Sequence, residues 1–225
     1  METTVKKFKQ DDEPDSQELL SKAISPFNNN NLTIKTMEGT LHVNKEQLMA
    51  ASPVFHKMLT ANFKEKKDQV INLPDKSAIA FAHFLRHTLP GFDGMEMTET
   101  VAHLIVPIAH EYQCTETLSK VDLKLVNCCN TTIRLKTEQL LEYILEAELY
   151  DLTNLLNNCI EKASRRRFTA FVENPQFQKI SPGTKDKICL MRWKNVDRII
   201  DEIPYTLSQG KLNAMRQSFT DYMEG

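Results

Sequence analysis

Between Leu32 and Leu59 the chain reads LTIKTMEGTLHVNKEQLMAASPVFHKML. Apolar and polar residues alternate over residues 32–37 and again over residues 40–43, and Glu38-Gly39 separates the two runs. An alternation with a period of two is typical of β-strands that bury one face, and a break containing Gly between two such runs is typical of a hairpin. The stretch therefore opens with a predicted β-hairpin.

Two short helices are predicted after the hairpin, over residues 45–51 and 53–59. Asn44, with Gln47 three residues later, forms a capping box for the first helix. Ser52-Pro53 gives the second helix an N-cap oxygen followed by proline at the first helical position, where the missing N–H costs nothing. The two helices should therefore follow each other almost directly.

The chain then continues through an exposed-looking run, residues 63–67, to a third predicted strand over residues 70–73. A longer helix is predicted from about Lys76 to Leu89, with Pro74-Asp75 as its start signal. The order of elements is hairpin, paired helices, strand and helix. This order predicts a small mixed α+β unit.

These elements resemble the BTB/POZ domain in their residues, order and spacing. The resemblance rests on LHVNKEQLMAASPVF (41–55), Met58-Leu59, Phe63-Lys64-Glu65, residues 70–73, Phe81 with Phe84-Leu85, and the run Ile108 to Tyr112 with Leu118. It implies an α+β BTB/POZ fold over residues 15–127, in which helical hairpins flank a small sheet. Asn31 and Asn44 stand where the family usually has Asp and His. Because Asn can still cap a helix, these two differences do not change the predicted fold. They weaken only the assignment of the family's functional roles to these two positions.

A helix is also predicted after Thr98, which is placed to cap it. Its predicted core face follows an i, i+3, i+4, i+7, i+11 pattern and comprises Val101, Leu104, Ile105, Ile108 and Tyr112. Pro107 falls inside this pattern, and a proline costs about 3 kcal/mol in an ordinary helix interior. We therefore expect either a kink at Pro107 or a helix that begins later than the pattern suggests.

The polar N-terminus, residues 1–14, is expected to be disordered, and a short helix is predicted from Asp15 to about Ser25. Its apolar residues lie on one side: Leu19, Leu20, Ala23 and Ile24. An apolar stripe indicates that one face of the helix is buried, but it does not show against which surface. The stripe packs either on its own domain or, as in many BTB domains, on a second protomer, so the resemblance makes these four residues candidates for a homodimer interface. Residues 28–31 are interpreted as a connector that could allow strand exchange between protomers.

Residues 132–225 are predicted to form an all-α region of stacked helices. A helix pair is predicted over residues 137–165, with Leu141, Ile144, Leu145 and Leu149 facing Leu155, Leu156, Cys159 and Ile160. A long helix should run from Ser181-Pro182 to Pro204, with Ile188, Met191, Val196, Ile199, Ile200 and Ile203 inward, before a last helix near residues 212–219. The segment from Ala147–Leu155 through Phe177 to Ile180-Ser181 resembles the BACK-type helical extension of multidomain BTB adaptors, especially the nematode MATH–BTB group, although no MATH domain is recognised.

Composition limits the classes of function. The chain has 225 residues, 41% of them apolar, and a formal net charge of −2, which gives no electrostatic argument for a nucleic-acid partner. Its five cysteines form no CxxC pair, which indicates reduced thiols and therefore a cytoplasmic or nuclear protein. No apolar run approaches the ~18–20 residues of a membrane span, and no apolar segment follows the N-terminal lysines, so neither a membrane partner nor a signal peptide is expected.

A search for catalytic or cofactor motifs finds none, and we expect neither a cofactor nor enzyme activity. No glycine precedes Lys-Ser/Thr at the spacing of a phosphate loop, and there is no G-x-S-x-G motif. His83 and His87 have the i, i+4 spacing of a shared metal, but a third ligand is not evident, so helix-surface histidines are the favoured interpretation and no metal is predicted. Cys128-Cys129 is interpreted as a pair of thiols that pack as small apolar groups.

Arg165, Arg166 and Arg167, together with Lys162, form the strongest cluster of charge. The cluster could be a localisation signal or a contact for an anionic partner. The favoured interpretation is that these cations complement the dipole at the end of a helix.

Phe63-Lys64-Glu65 resembles the hydrophobic-x-Glu motif with which many BTB adaptors engage the N-terminal helices of a cullin scaffold. The resemblance implies a cullin-binding surface comprising Met58, Leu59, Phe63 and Glu65, and hence a non-enzymatic adaptor that recruits substrate to a cullin–RING ubiquitin ligase. In the alternative interpretation Phe63 folds into its own core. The alternative function is a BTB oligomerisation scaffold for a nuclear or structural complex, without a ligase.

Overall fold

The computed structural model describes residues 21–22, 25–27, 30–61, 64–92, 94–132, 135–202, 210, 213–214 and 217. These residues fall into two compact units. Unit 1 contains the chain up to residue 133 together with residues 149–155, and unit 2 contains residues 134–148 with the chain from residue 156 onward. The predicted N-terminal segment (residues 1–14), Pro204 and most of the predicted last helix lie outside the described residues.

Unit 1 contains a three-stranded sheet with the order β2-β1-β3. Strand β1 (Leu32–Lys35) pairs antiparallel with β2 (Thr40–Val43) and parallel with β3 (Val70–Asn72). One face of the sheet is buried through Leu32, Ile34, Leu41, Val43 and Ile71. The predicted hairpin and third strand are confirmed, and so is the α+β class.

In the described part of unit 1, several α-helices accompany the sheet after a short 3-10 turn at Ser25–Phe27. They are α1 (Lys45–Ala51), α2 (Pro53–Thr60), α3 (Lys64–Asp68), α4 (Ala78–Thr88), α5 (Glu99–Glu111) and α6 (Thr115–Thr131). The N-caps predicted for α1 and α2 are confirmed. The side chain of Asn44 accepts from the backbone N–H of Gln47 at 2.9 Å, and the hydroxyl of Ser52 accepts from the N–H of Phe55 at 3.1 Å.

The start of α4 differs from the prediction. The helix begins at Ala78 instead of about Lys76, and the side chain of Ser77, at the N-cap position, makes no capping bond. The backbone N–H of Ala78 instead donates to Oε2 of Glu38, at 2.8 Å. Glu38 lies in the turn of the hairpin, so a carboxylate from 40 residues earlier in the chain caps this helix and ties it to the sheet.

We expect Glu38→Ala to lower the free energy of unfolding by about 1 kcal/mol, because the helix loses its capping acceptor. Urea unfolding followed by circular dichroism measures the change. Glu38→Gln keeps an acceptor oxygen and should lose clearly less. A loss of no more than a few tenths of a kcal/mol in Glu38→Ala would mean that the carboxylate does not cap the helix.

The core of unit 1 is an aromatic cluster. Phe55, Phe81 and Phe84 are fully buried, and Tyr112 is 3% exposed. The rings of Phe55 and Tyr112 are stacked with centroids 4.2 Å apart, and Phe81 meets both rings edge-on. The hydroxyl of Ser52 also donates to the carbonyl of Tyr112 at 2.6 Å. The N-terminus of α2 is therefore joined to the end of α5 by ring packing and by a buried hydrogen bond.

The predicted core face of α5 is confirmed at Ile105, Ile108 and Tyr112, which are buried, but it is wrong at Leu104. Thr98 caps the helix as predicted, but Leu104 is 40% exposed, and the buried residues are Ala102, Ile105, Val106, Ile108 and Ala109. The helix runs from Glu99 through Pro107, so the predicted alternative of a later start is wrong. Pro107 is exposed, so its ring lies on the solvent side of the helix.

The C-terminal region is helical, as predicted. Its helices are α7 (Thr137–Leu149), α8 (Thr153–Ser164), α9 (Thr169–Val172), α10 (Pro175–Lys179) and α11 (Pro182–Glu202). The buried residues of unit 2 include Leu141, Ile144, Cys159, Ile160, Phe171, Phe177 and Ile188. None of the helices within the described ranges is long and apolar enough to cross a bilayer.

Two residues of this region, one on α7 and one on α11, were wrongly predicted to face the interior. Leu149 is 63% exposed and Ile199 is 56% exposed, whereas Met191 and Val196 are half-buried. The side chains of Ile200 and Ile203 lie outside the described residues. A helical pattern of apolar residues therefore overstated the burial of α11, because periodicity does not show how far along a helix its packing partners extend.

Candidate partner-binding surface

Helix α2 has an inner face and an outer face. Phe55 and Leu59 lie one turn apart and are 0% and 1% exposed. His56 and Lys57 are exposed on the outer side, and Met58 is half-buried between the two faces. The buried i, i+4 pair fixes the rotation of the helix, so it also decides which residues reach the surface.

The prediction for Leu59 as a partner contact needs correction. Its side chain is buried in its own domain, so we assign it to the core. Neighbouring residues on a helix point about 100° apart, so Met58 and Leu59 do not share a face. Met58 remains a candidate contact.

Helix α3 is only five residues long and is held in place by contacts at both ends. The ammonium of Lys66 donates to the carbonyl of Thr60 at 2.9 Å, at the C-terminus of α2, where the helix dipole favours a cation. The N–H of Gln69 donates to the carbonyl of Glu65 at 3.0 Å, and Gln69 has a left-handed backbone with φ of 52°. The left-handed residue ends the helix and turns the chain into β3.

The side chain of Glu65 is half-buried on α3, so part of it is accessible from the surface. Phe63, the predicted apolar anchor, lies outside the described residues, so its role stays a prediction.

The α2–α3 surface, defined as residues 53–60 and 64–68, carries a local positive charge. Its four lysines outnumber its two acidic residues, a net of +2 in a chain whose formal charge is −2. Lys57, Lys64 and Lys67 are exposed. The surface therefore fits a partner with a negative face, and the carboxylate of Glu65 would set the register of docking.

A comparison with protein-family models adds the deciding observation. Residues 25–128, which hold the sheet, helices α1 to α5 and most of α6, match the model of the BTB/POZ domain. This chain contains a BTB/POZ domain. Such domains are typically non-enzymatic modules that self-associate and bind partner proteins. A comparison with curated proteins finds no significant match.

The start of the BTB/POZ domain packs on its own subunit. Phe27 is 2% exposed, and its ring lies 5.3 Å from that of Phe92. The guanidinium of Arg86 lies over the Phe27 ring and donates to the carbonyl of Lys22 at 3.1 Å. The dimer-interface candidates lie outside the described residues, so their role stays a prediction: Leu19, Leu20, Ala23 and Ile24.

A groove beside this segment was not predicted from the sequence. Its cavity of about 540 Å³ is lined by Lys22, Pro26, Ile79, His83, Arg86, Phe92 and Met95. These residues come from three separate segments of unit 1. Ile79, His83 and Arg86 share one face of α4, but the sequence does not show which other segments that face meets. Only the folded chain brings them together.

The two histidines of α4 that have the spacing of a shared metal site, His83 and His87, are half-buried. Burial lowers the pKa of His83 and of His87, and the cation of Arg86 acts in the same direction on both. Within the described ranges, no cluster of His, Cys, Asp and Glu has the composition of a metal site.

The five cysteines differ in exposure. Cys114, Cys129 and Cys159 are buried, Cys128 is half-buried and Cys189 is exposed. Burial raises the pKa of the Cys114 thiol to about 11 and also raises that of Cys128. A raised pKa keeps a thiol protonated at neutral pH, so these two cysteines are poor nucleophiles.

The arginine cluster after α8 has structural roles inside unit 2. Arg165 pairs with Glu161 at 2.5 Å, one turn earlier in the helix. Arg166 is half-buried and donates to the carbonyl of Leu135 and to the hydroxyl of Thr137. The bonds of Arg166 tie the end of α8 to the start of α7.

Proposed function

We propose that this protein is a non-enzymatic adaptor, a substrate-recruiting or scaffold subunit of a cullin–RING ubiquitin ligase that uses a BTB-type cullin. The proposal is carried by the α2–α3 surface of the BTB/POZ domain. There Met58 and Glu65 are both partly exposed on successive helices, and the contact of Lys66 with Thr60 orders the second helix. The resemblance of Phe63-Lys64-Glu65 to the hydrophobic-x-Glu motif names the cullin as the partner of this surface.

The adaptor would perform no chemistry of its own. Its BTB/POZ domain would hold the cullin, while another surface holds a substrate protein. The complex would raise the effective concentration of substrate lysines near a ubiquitin-conjugating enzyme. In this proposal the helices after residue 132 act as a BACK-like extension, and the protein works as a homodimer in the cytoplasm or nucleus.

Binding of the full chain to the N-terminal domain of a BTB-type cullin, measured by calorimetry, tests the proposal. We expect Phe63→Ala to weaken binding by about 2 kcal/mol, roughly 30-fold, because it removes the apolar anchor. Met58→Ala and Glu65→Ala should each cost about 1 kcal/mol, since both residues lie at the rim of the contact. The effect of Glu65→Ala should shrink as salt is added.

Two matched controls distinguish the surface from the rest of the domain. Met37→Ala removes a methionine that is 63% exposed in the hairpin turn, and Glu116→Ala removes an exposed carboxylate that pairs with Lys120. Neither substitution should change the affinity. If the controls weaken binding as much as the surface variants, the α2–α3 surface is not the cullin site.

The burial of Leu59 favours a second candidate function, because it removes one of the four predicted cullin contacts. This candidate is an oligomerisation scaffold for a nuclear or structural complex, without a ligase. Light scattering on the same samples reports self-association. A chain that self-associates but binds no cullin at any accessible concentration supports the scaffold and overturns the adaptor.

A further inference from the structure

Ser181 joins two helices of unit 2. It precedes Pro182, the first residue of α11, and its hydroxyl donates to Oε1 of Glu148 near the end of α7 at 2.5 Å. The backbone N–H of Ser181 donates to both oxygens of the same carboxylate, at 3.3 and 3.2 Å. The Ser181 hydroxyl oxygen also accepts from the N–H of Thr184 at 3.3 Å. One serine therefore caps α11 and fastens it to α7.

The carboxylate in this contact is negatively charged at neutral pH. Burial by itself raises the pKa of Glu148, but hydrogen bonds from Ser181 and Thr184, together with the charge of Lys185, outweigh it and hold the pKa below its usual value. The contact thus depends on a neutral hydroxyl donor facing an anion. A second negative charge on the serine would turn the attraction into repulsion.

Three serines in the chain are followed by proline: Ser25, Ser52 and Ser181. Ser52 is fully buried, with its hydroxyl bonded to the carbonyl of Tyr112. Ser181 is exposed, and Ile180 before it has an extended backbone, with φ of −65° and ψ of 140°. The side chain of Ser25 lies outside the described residues. Of the two described hydroxyls, only that of Ser181 is accessible to an enzyme in the folded protein.

We propose that Ser181 is a phosphorylation site at which a proline-directed serine/threonine kinase switches the contact between α7 and α11. The Ser181 oxygen attacks the γ-phosphorus of a nucleoside triphosphate. A new O–P bond forms, the bond to the diphosphate leaving group breaks, and the hydroxyl proton passes to the kinase. The modified serine has lost the O–H that it donated to Glu148.

The phosphate would separate the two helices without unfolding the second one. It carries a charge of about −1.5 to −2 at pH 7, which repels the Glu148 carboxylate. At the N-terminus of α11, however, the same charge is favourable, because the N–H groups of the first turn and the ammonium of Lys185 attract it. Helix α11 therefore keeps its cap while α7 loses its partner.

The test treats the full chain with a proline-directed kinase and MgATP and maps the phosphate by mass spectrometry. We expect phosphate on Ser181, none on Ser52, and loss of the Ser181 signal in Ser181→Ala. Hydrogen exchange should then show the backbone amide of Ser181 exchanging at least about tenfold faster after phosphorylation, because its carboxylate acceptor has moved away. In Glu148→Gln the acceptor is uncharged, so phosphorylation should change this rate by less than about threefold.

Two results would overturn the proposal. In the first, the kinase modifies a peptide spanning residues 176–187 but leaves Ser181 of the folded chain unmodified, which would show that the fold shields the hydroxyl. In the second, the phosphorylated chain retains the amide protection of the unmodified chain. Neither result bears on cullin binding, so this inference and the proposed function can fail independently.

Discussion

Phe55→Ala is expected to lower the free energy of unfolding by about 4 kcal/mol, within the range of 3–5 kcal/mol for deleting a buried phenyl ring. The side chain is fully buried and stacks on Tyr112 at 4.2 Å, with the edge of Phe81 on another side. Its removal leaves a cavity among rigid rings, which collapse poorly into the space. The substitution also removes the contacts of the Phe55 ring with its aromatic neighbours.

Urea unfolding followed by circular dichroism measures this loss, and Phe168→Ala is the matched control. Phe168 is 44% exposed, and its ring is covered by the guanidinium of Arg192, so its removal should cost less than about 1 kcal/mol. Since domains are stable by about 5–15 kcal/mol, Phe55→Ala could leave much of the protein unfolded. Phe55→Leu keeps most of the apolar volume and should fall between the wild type and Phe55→Ala. A Phe55→Ala loss no larger than that of Phe168→Ala would contradict the assigned core.

Asp122→Ala is expected to cost about 3 kcal/mol, because this carboxylate caps a helix from a distance. Asp122 is 5% exposed in α6. Its oxygens accept from the backbone N–H of Leu155 at 2.7 Å and from the backbone and side-chain nitrogens of Asn154 at 3.0 and 2.9 Å. Hydrogen bonds to an ionised acceptor contribute about 1.5–3 kcal/mol, and truncation leaves the N–H of buried Leu155 without its partner.

The control for this change is Asp197→Ala, which removes an exposed aspartate from the interior of α11 and should be nearly neutral. Asp122→Asn preserves the shape and one acceptor oxygen, so its loss should be intermediate. Chemical denaturation of the three variants gives the comparison. If Asp122→Ala and Asp197→Ala agree within about 1 kcal/mol, the buried carboxylate is not what holds the start of α8.

Features that depend on residues close together in the sequence, such as N-caps and the hairpin, were predicted correctly. Asn44 and Ser52 were identified as N-caps because an N-cap and its partner N–H lie within three residues of each other. The hairpin was identified for a similar reason, since alternation and a short break are both visible over a dozen residues. Helix starts that depend on distant residues were mispredicted or missed. The cap of α4 comes from Glu38, and that of α8 comes from Asp122, more than 30 residues away.

The candidate site was predicted only in part, again for a geometric reason. The resemblance treated Met58 and Leu59 as one contact, although the i, i+4 spacing of Phe55 and Leu59 already places Leu59 on the buried face. The contact between Lys66 and the C-terminus of α2 had no sequence signal, because any of several lysines in the run could have made it. Phe63 lies outside the described residues, so the binding experiment alone tests it.

The uneven exposure of the cysteines has a practical consequence for labelling. Maleimide dyes react with the thiolate of a cysteine that they can reach. Cys189 is exposed, three of the other four thiols are buried, and burial raises the pKa of half-buried Cys128. A fluorophore can therefore be attached to the native protein, on α11 itself and eight residues after Ser181, with no engineered cysteine, and its emission would follow the movement of that helix in real time.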